Sequence, residues 1–240
     1  MDYRKSQLVV VAVFFSANLL LNAQIPTIPS LGARPSGTAG LDDSKISDGL
    51  KEALSVGTEK AVTLVAKPGG YLENEAIKIL LPQNLRPVEK ILRSGGQGPK
   101  IDKFIESMNH AAESAAPEAE KIFGGAVKEM SIDDARKLLN GGDTAITDYF
   151  KSKTSKELSA AFRPHVEAAM KTNGVTEQYQ ALAGQAPKIS MMGTSNFDIN
   201  TYVVNKALDG LFYMLGQQER QIRTNPAARS SALLKQVFGR

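Results

Sequence analysis

The chain has 240 residues, 42% hydrophobic and 6% aromatic, with 29 Lys and Arg against 25 Asp and Glu, a formal net charge of +4 and no cysteine. The missing thiol excludes disulfides, a thiol nucleophile, a Cys-ligated metal and a lipoprotein anchor, so the fold must be held by packing alone. A mild, scattered positive charge with few aromatics argues against nucleic acid as a partner.

Arg4 and Lys5 precede an apolar run from Leu8 to Leu21, and Asn22, Ala23 and Gln24 follow it. A basic start, a short apolar stretch and a small residue for cleavage are the layout of a secretory signal peptide. The run is about 14 residues, whereas a bilayer span takes roughly 20. Residues 1–23 are therefore expected to be a cleaved signal, leaving a soluble periplasmic or otherwise exported protein with no transmembrane segment. Residues 24–43 contain Pro26, Pro29, Pro35, Gly32, Gly37 and Gly40 and read as a flexible linker.

From Ser44 the pattern becomes helical. Leu50, Leu54, Gly57, Ala61 and Leu64 form one apolar stripe, and Gly57 within it predicts close approach of a second helix. Pro68, Gly69 and Gly70 end this helix. Ile77, Ile79 and Leu81 alternate as a strand would, but no partner strand is evident, and an isolated strand leaves its backbone unsatisfied. Residues 71–82 are therefore expected to be a short helix passing into an extended connector.

A short helix is expected over about residues 83–93, stopped by the glycines of 95–98. The next helix carries Ile101, Phe104, Ile105, Met108, Ala111, Ala112 and Ala115. Pro117 either kinks it or begins another, whose apolar face continues through Ile122, Phe123, Ala126, Val127 and Met130. Ser131 with Asp134 opens a short helix closed by Gly141 and Gly142, and Asp143 is placed to cap the following turn. Thr154 and Glu157 read as a capping box for a helix bearing Leu158, Phe162, Val166 and Met170, with Gly174 at its end.

Residues 184–196 read as loop. Asp198 caps a strongly apolar helix with Tyr202, Val203, Leu208, Leu211, Phe212 and Leu215. Asn225-Pro226 reads as the start of a last helix that buries Leu233, Leu234, Val237 and Phe238. The sum is one all-α domain of roughly eight to ten helices over residues 44–240.

No reaction is spelled out by these residues. The two histidines are His110 and His165. Glu106, His110 and Glu113 share a helix face, but they do not close a metal site, and a histidine at the edge of the core is the plainer reading. Gly95 to Lys100 lacks the spacing of a phosphate loop, and no G-x-S-x-G or H-E-x-x-H motif occurs. No catalytic, cofactor or metal residue is assigned, and no cofactor is expected.

The candidate site is instead a network of polar residues set among apolar ones: Asn109, Glu113, Asp134, Asp209, Glu219 and Arg223. Buried carboxylates must be paired or protonated. Asp209 is therefore expected either to face solvent or to meet Arg136, Arg220 or Arg223. Thr147, beside Ile146, is a further polar residue in apolar company.

Several segments resemble a bacterial family known as DUF4197. They are GLKEAL from Gly49, GGYLENEAIKILLP from Gly69, MNHAAESAAPEA from Met108 and MSIDDARKLLNGGDTAITDYF from Met130. The long stretch from Tyr202 to Arg229 and LLKQVFG from Leu233 complete the set in order. The resemblance implies an exported helical protein of a Gram-negative bacterium and supplies no reaction. Many similar proteins carry a lipobox cysteine; position 24 here is Gln, so no lipid anchor is expected. Where such proteins typically show arginine, this chain has His110.

Three functions follow in order of preference. The first is a non-catalytic periplasmic protein that binds a partner or supports the envelope. The second is a carrier of a small apolar or amphipathic ligand, lined by methionines such as Met108, Met130, Met170, Met191, Met192 and Met214. The third is a hydrolase using carboxylates of Glu113, Asp133, Asp134 and Asp209.

Overall fold

The computed structural model of the chain describes residues 43–172 and 198–239. These residues form α1 (Asp43–Ala66), a 3-10 turn (Gln83–Leu85), α2 (Arg86–Ser94), α3 (Gly98–Ala115), α4 (Glu118–Glu129) and α5 (Ile132–Leu139). There follow α6 (Ala145–Thr172), α7 (Ile199–Thr224), a second 3-10 turn (Pro226–Ala228) and α8 (Ala232–Phe238). The fold is all-α, as the periodicity predicts, and no strand occurs among the described residues.

The organising element is α6. Ile146, Phe150, Thr154, Leu158, Phe162, Val166 and Met170 are all buried and follow one another at four-residue steps. Each step overshoots a helical turn by about 40°. The stripe therefore winds around the helix, and α6 packs against α7, α3 and α4 rather than against one neighbour. At the centre the Phe150 ring meets Phe123 of α4 edge-on at 5.1 Å, and Phe212 of α7 lies 6.1 Å from Phe123. Helix α1 covers the other side, against α7, α4, α5 and α8.

This winding stripe corrects the expected helix start at Thr154. Thr154 is buried inside α6, and its hydroxyl donates to the Phe150 carbonyl at 2.7 Å. It occupies one position of the apolar stripe, and the helix begins at Ala145, not beside a capping box. Nor is the start capped by Asp143; the acceptor comes from α7, as described below. The expected end at Gly174 and the loop over 184–196 lie outside the described residues.

Other boundaries follow local chemistry. Helix α2 ends in a Schellman motif: Gly96 has φ +80°, the Gln97 N–H donates to the Leu92 carbonyl at 2.9 Å, and Gly96 N–H to Arg93 at 3.2 Å. Pro117 begins α4. Ser131 and Asp134 form a reciprocal capping box at the start of α5, and Asp198 accepts from the N–H groups of Asn200 and Thr201 at the start of α7. Asn225 caps only the short 3-10 turn; the last helix starts later, with Ser231 as its cap.

Residues 67–82 contain turns and no helix before the extended piece, which corrects the short helix expected there. Tyr71, Ile77, Ile79 and Leu81 are buried and Leu80 is exposed, so the alternation seen in the sequence is real. The close approach expected at Gly57 occurs elsewhere. A Cβ at Gly57 would sit 3.7 Å from Ile222, an ordinary contact, whereas one at Gly210 would lie 2.6 Å from the Tyr71 ring.

Candidate functional site: two buried polar clusters

Four of the six candidate residues are built into two separate clusters. In the first, α3 presents Asn109 and Glu113 to the connector 67–82. Asn109 Oδ1 accepts from the Ile79 N–H at 2.8 Å, and its Nδ2 donates to the Ile79 carbonyl at 2.9 Å and to Ile105 at 2.7 Å. One side chain thereby satisfies both backbone groups of a strand-like residue that has no strand beside it. Four residues on, Glu113 Oε1 accepts from the N–H groups of Tyr71 at 3.1 Å and Leu72 at 3.2 Å.

Glu113 Oε2 lies 2.7 Å from His110 Nδ1, and His110 Nε2 lies 3.5 Å from Glu106. The hydrogen bond to Glu113 raises the His110 pKa above its ordinary value, against the opposing effect of burial. The Tyr71 hydroxyl donates to the Ala207 carbonyl of α7 at 2.7 Å. Burial, aided by the Glu113 charge, pushes that phenol well above its usual range. Tyr202 closes the other end of the connector by donating to the Leu80 carbonyl at 2.8 Å.

The second cluster joins α7 to the corner between α5 and α6. Glu219 accepts from the Ile146 N–H at 3.0 Å, the Thr147 N–H at 2.9 Å and the Thr147 hydroxyl at 2.8 Å. Arg223, one turn later, pairs with Glu219 at 2.9 Å and donates to the carbonyls of Leu138 at 2.8 Å and Leu139 at 3.1 Å. The carboxylate sits at the N-terminus of α6 and the guanidinium at the C-terminus of α5. Each charge therefore opposes the helix dipole end it meets and fills backbone groups that a helix terminus leaves unpaired. The Glu219 side chain is 1% exposed and that of Arg223 11%.

Asp134 and Asp209 join neither cluster, which corrects their inclusion. Asp134 is half-buried beside Ser131, whose hydroxyl holds its carboxyl below the usual range as part of the α5 cap. Asp209 lies on the solvent side of α7, 3.2 Å from Lys206, and meets none of Arg136, Arg220 or Arg223. The carboxylates named for a hydrolase are each engaged with a different partner: Glu113 with the connector, Asp133 3.7 Å from Arg136, Asp134 with Ser131 and Asp209 with Lys206. Tyr71, Tyr202 and Thr147 belong to the clusters but were not among the six. Thr147 carries the same signal of a polar residue in apolar company, whereas Tyr71 and Tyr202 carry none, since their hydroxyls meet backbone carbonyls of distant segments.

A gap between α1, α6, α7 and α8, lined in part by Gly57, Leu215 and Phe238, holds about 10 Å³, roughly one water. A groove of about 340 Å³ between α4 and α6 is lined by Lys121, Glu129, Asp134, Tyr149, Lys153 and Glu157 among others. Burial, then Asp134 and Glu129, raise the Tyr149 pKa. Among the described residues no group of three or more His, Asp or Glu is placed to hold a metal ion, and no helix is long and apolar enough to cross a membrane.

A family model described as a protein of unknown function, DUF4197, matches residues 40–239. The chain belongs to that family. No curated protein and no solved structure matches it.

Proposed function

We propose that this DUF4197 protein is exported by a cleaved signal over residues 1–23, joined through a linker over 24–43 to its helical domain. There it acts by binding a partner at its surface, without catalysis. The observation that carries the reading is the use made of the buried polar side chains. Asn109, Glu113, Glu219 and Arg223 each bond backbone groups of a connector or a helix terminus. A carboxylate that accepts two or three protein hydrogen bonds has little lone-pair capacity left for a substrate. The side chains free to meet another molecule are those of the surface. The carrier reading is less favoured among the described residues: Met108, Met130 and Met170 are packed in the core, and the gap between α1, α6, α7 and α8 holds only about 10 Å³; Met191 and Met192 lie outside the described residues.

The test is native mass spectrometry of the protein purified gently from its own host, after cell fractionation. A processed mass that begins near Gln24, in the exported fraction and accompanied by a second macromolecule, is the expected result. An added mass of a few hundred daltons lost on denaturation would replace the reading with the carrier. Retention of the chain in the cytoplasm would remove its premise.

A further inference from the structure

The net positive charge is unevenly distributed along the chain. Near the C-terminus, Arg223 and Arg229 are occupied by carbonyls: Arg229 donates to Ile222 at 2.9 Å and to Arg223 at 2.8 Å. Residues 78–103 differ. They hold six Lys and Arg against two Asp and Glu, a net +4 equal to the formal charge of the whole chain. Within this stretch Lys78 meets Glu75 at 3.9 Å, and Arg93 meets Glu89 at 2.9 Å and Asp102 at 2.7 Å. Arg86, Lys90, Lys100 and Lys103 are exposed and form no ion pair among the described residues.

The same region exposes apolar surface. Ile91 is 72% and Leu80 45% exposed, two of only four large hydrophobic side chains that stand out among the described residues. Helix α2 turns Val88 and Leu92 to the core and is left with Lys90 and Ile91 on its outer side. Beside it, Leu80, Ile105 and the stems of Arg86, Lys90 and Arg93 border an open groove of about 490 Å³.

We propose that this face, α2 with the start of α3 and Leu80, docks on the surface of an anionic lipid bilayer. Ile91 and Leu80 enter the headgroup boundary, and Arg86, Lys90, Lys100 and Lys103 meet the lipid phosphates. Charge complementarity selects this occupant. Exposed aliphatic side chains in one stretch of chain with unpaired cations on long apolar stems are what an anionic interface takes up. A protein interface depletes lysine from its centre, and a nucleic acid groove wants aromatic platforms, of which residues 78–103 have none. The inference rests on the surface-binding reading above and names its partner.

The test is co-sedimentation of the protein, as its host processes it, with phosphatidylcholine vesicles with and without phosphatidylglycerol, across a salt series. Three variants accompany the wild type: Lys90→Glu with Lys100→Glu, Ile91→Ser alone, and Lys151→Glu with Lys156→Glu on α6 as an equal charge change elsewhere. Each position is exposed, and thermal melts confirm that each variant folds. The expected result is binding only to the phosphatidylglycerol vesicles, weakening as salt screens the charges. It should fall roughly tenfold or more in the first variant and severalfold in the second, and stay unchanged in the third. Binding without preference for the anionic lipid, equal loss in the α6 control, or indifference to the first two variants overturns the proposal. Absence of vesicle binding in a protein that still carries a protein partner by mass spectrometry overturns the docking surface and leaves the surface-binding reading standing.

Discussion

One carboxylate oxygen of Glu219 receives both hydrogens that Thr147 can donate, from its N–H at 2.9 Å and its hydroxyl at 2.8 Å. The other oxygen takes the Ile146 N–H. The cap of α6 is thus supplied by a residue 72 positions along the chain from Thr147. Glu219→Ala is expected to destabilise the domain by about 3–5 kcal/mol, because it uncaps a helix and leaves Arg223 nearly buried without its counter-charge. Chemical denaturation measures this. A loss under about 1 kcal/mol would mean that water replaces the carboxylate with ease.

The Glu219–Arg223 pair is expected to be strongly non-additive. Arg223→Met removes the donor to the Leu138 and Leu139 carbonyls and leaves the carboxylate alone. Combining it with Glu219→Gln removes both charges together. A double-mutant cycle should therefore show a coupling of about 1–3 kcal/mol. Simple additivity would mean that the two side chains act on α5 and α6 independently.

Asn109→Leu should free the connector without disturbing the helices. It removes both bonds to Ile79 and is expected to cost about 2–3 kcal/mol, with amide exchange accelerating first at Ile79 and its neighbours. Asp209→Asn is the contrast: exposed and paired only with Lys206, it should change stability by no more than about 0.5 kcal/mol.

The histidine gives a pH dependence with a definite sign. The folded His110 pKa is raised, chiefly by the hydrogen bond to Glu113. Its stabilising contribution is complete below the unfolded value of about 6.5 and fades as pH rises through the raised folded value. His110→Gln should therefore cost more at about pH 6 than at pH 8.5, by thermal melts. A cost that grew with pH would show that the neutral ring is the form the fold prefers.

Gly210→Ala is expected to destabilise by about 1–3 kcal/mol through overpacking. A Cβ there would lie 2.6 Å from the ring of Tyr71 and 3.2 Å from Ile77, both buried. The same substitution at Gly57, where the added atom meets Ile222 at 3.7 Å, should be tolerated or favourable. Paired melts of the two variants distinguish the sites.

The helices were legible because their signals are local: the Ser131 and Asp134 box, the Asp198 cap and the Gly96 terminus all act within a few residues. Thr154 shows where locality misleads. Its spacing to Glu157 matches a cap, but its burial inside α6 is decided by Phe150 and Leu158 on either side. Polar residues in apolar company were also legible, which located Asn109, Glu113, Glu219 and Arg223. Their partners were not, because those partners are largely backbone N–H and carbonyl groups of distant segments. Asp209 takes the solvent-facing one of its two expected places and so stays out of the clusters. A helix bearing a wide apolar face still has an outer side, and neighbours in sequence do not share a direction.

Because its acceptor comes from so far down the chain, α6 has a history as well as a structure. While the chain is being synthesised, residues 145–172 exist as a complete segment before Glu219 has been made. For that interval the first amides of α6, the longest of the described helices, have only water, and its winding stripe waits for α7 to cover it. A ribosome stalled after Thr172, or a stop codon anywhere before position 219, therefore yields a chain with its central helix open at one end. Such a product is expected to be a substrate for chaperones and proteases rather than a shortened version of the protein.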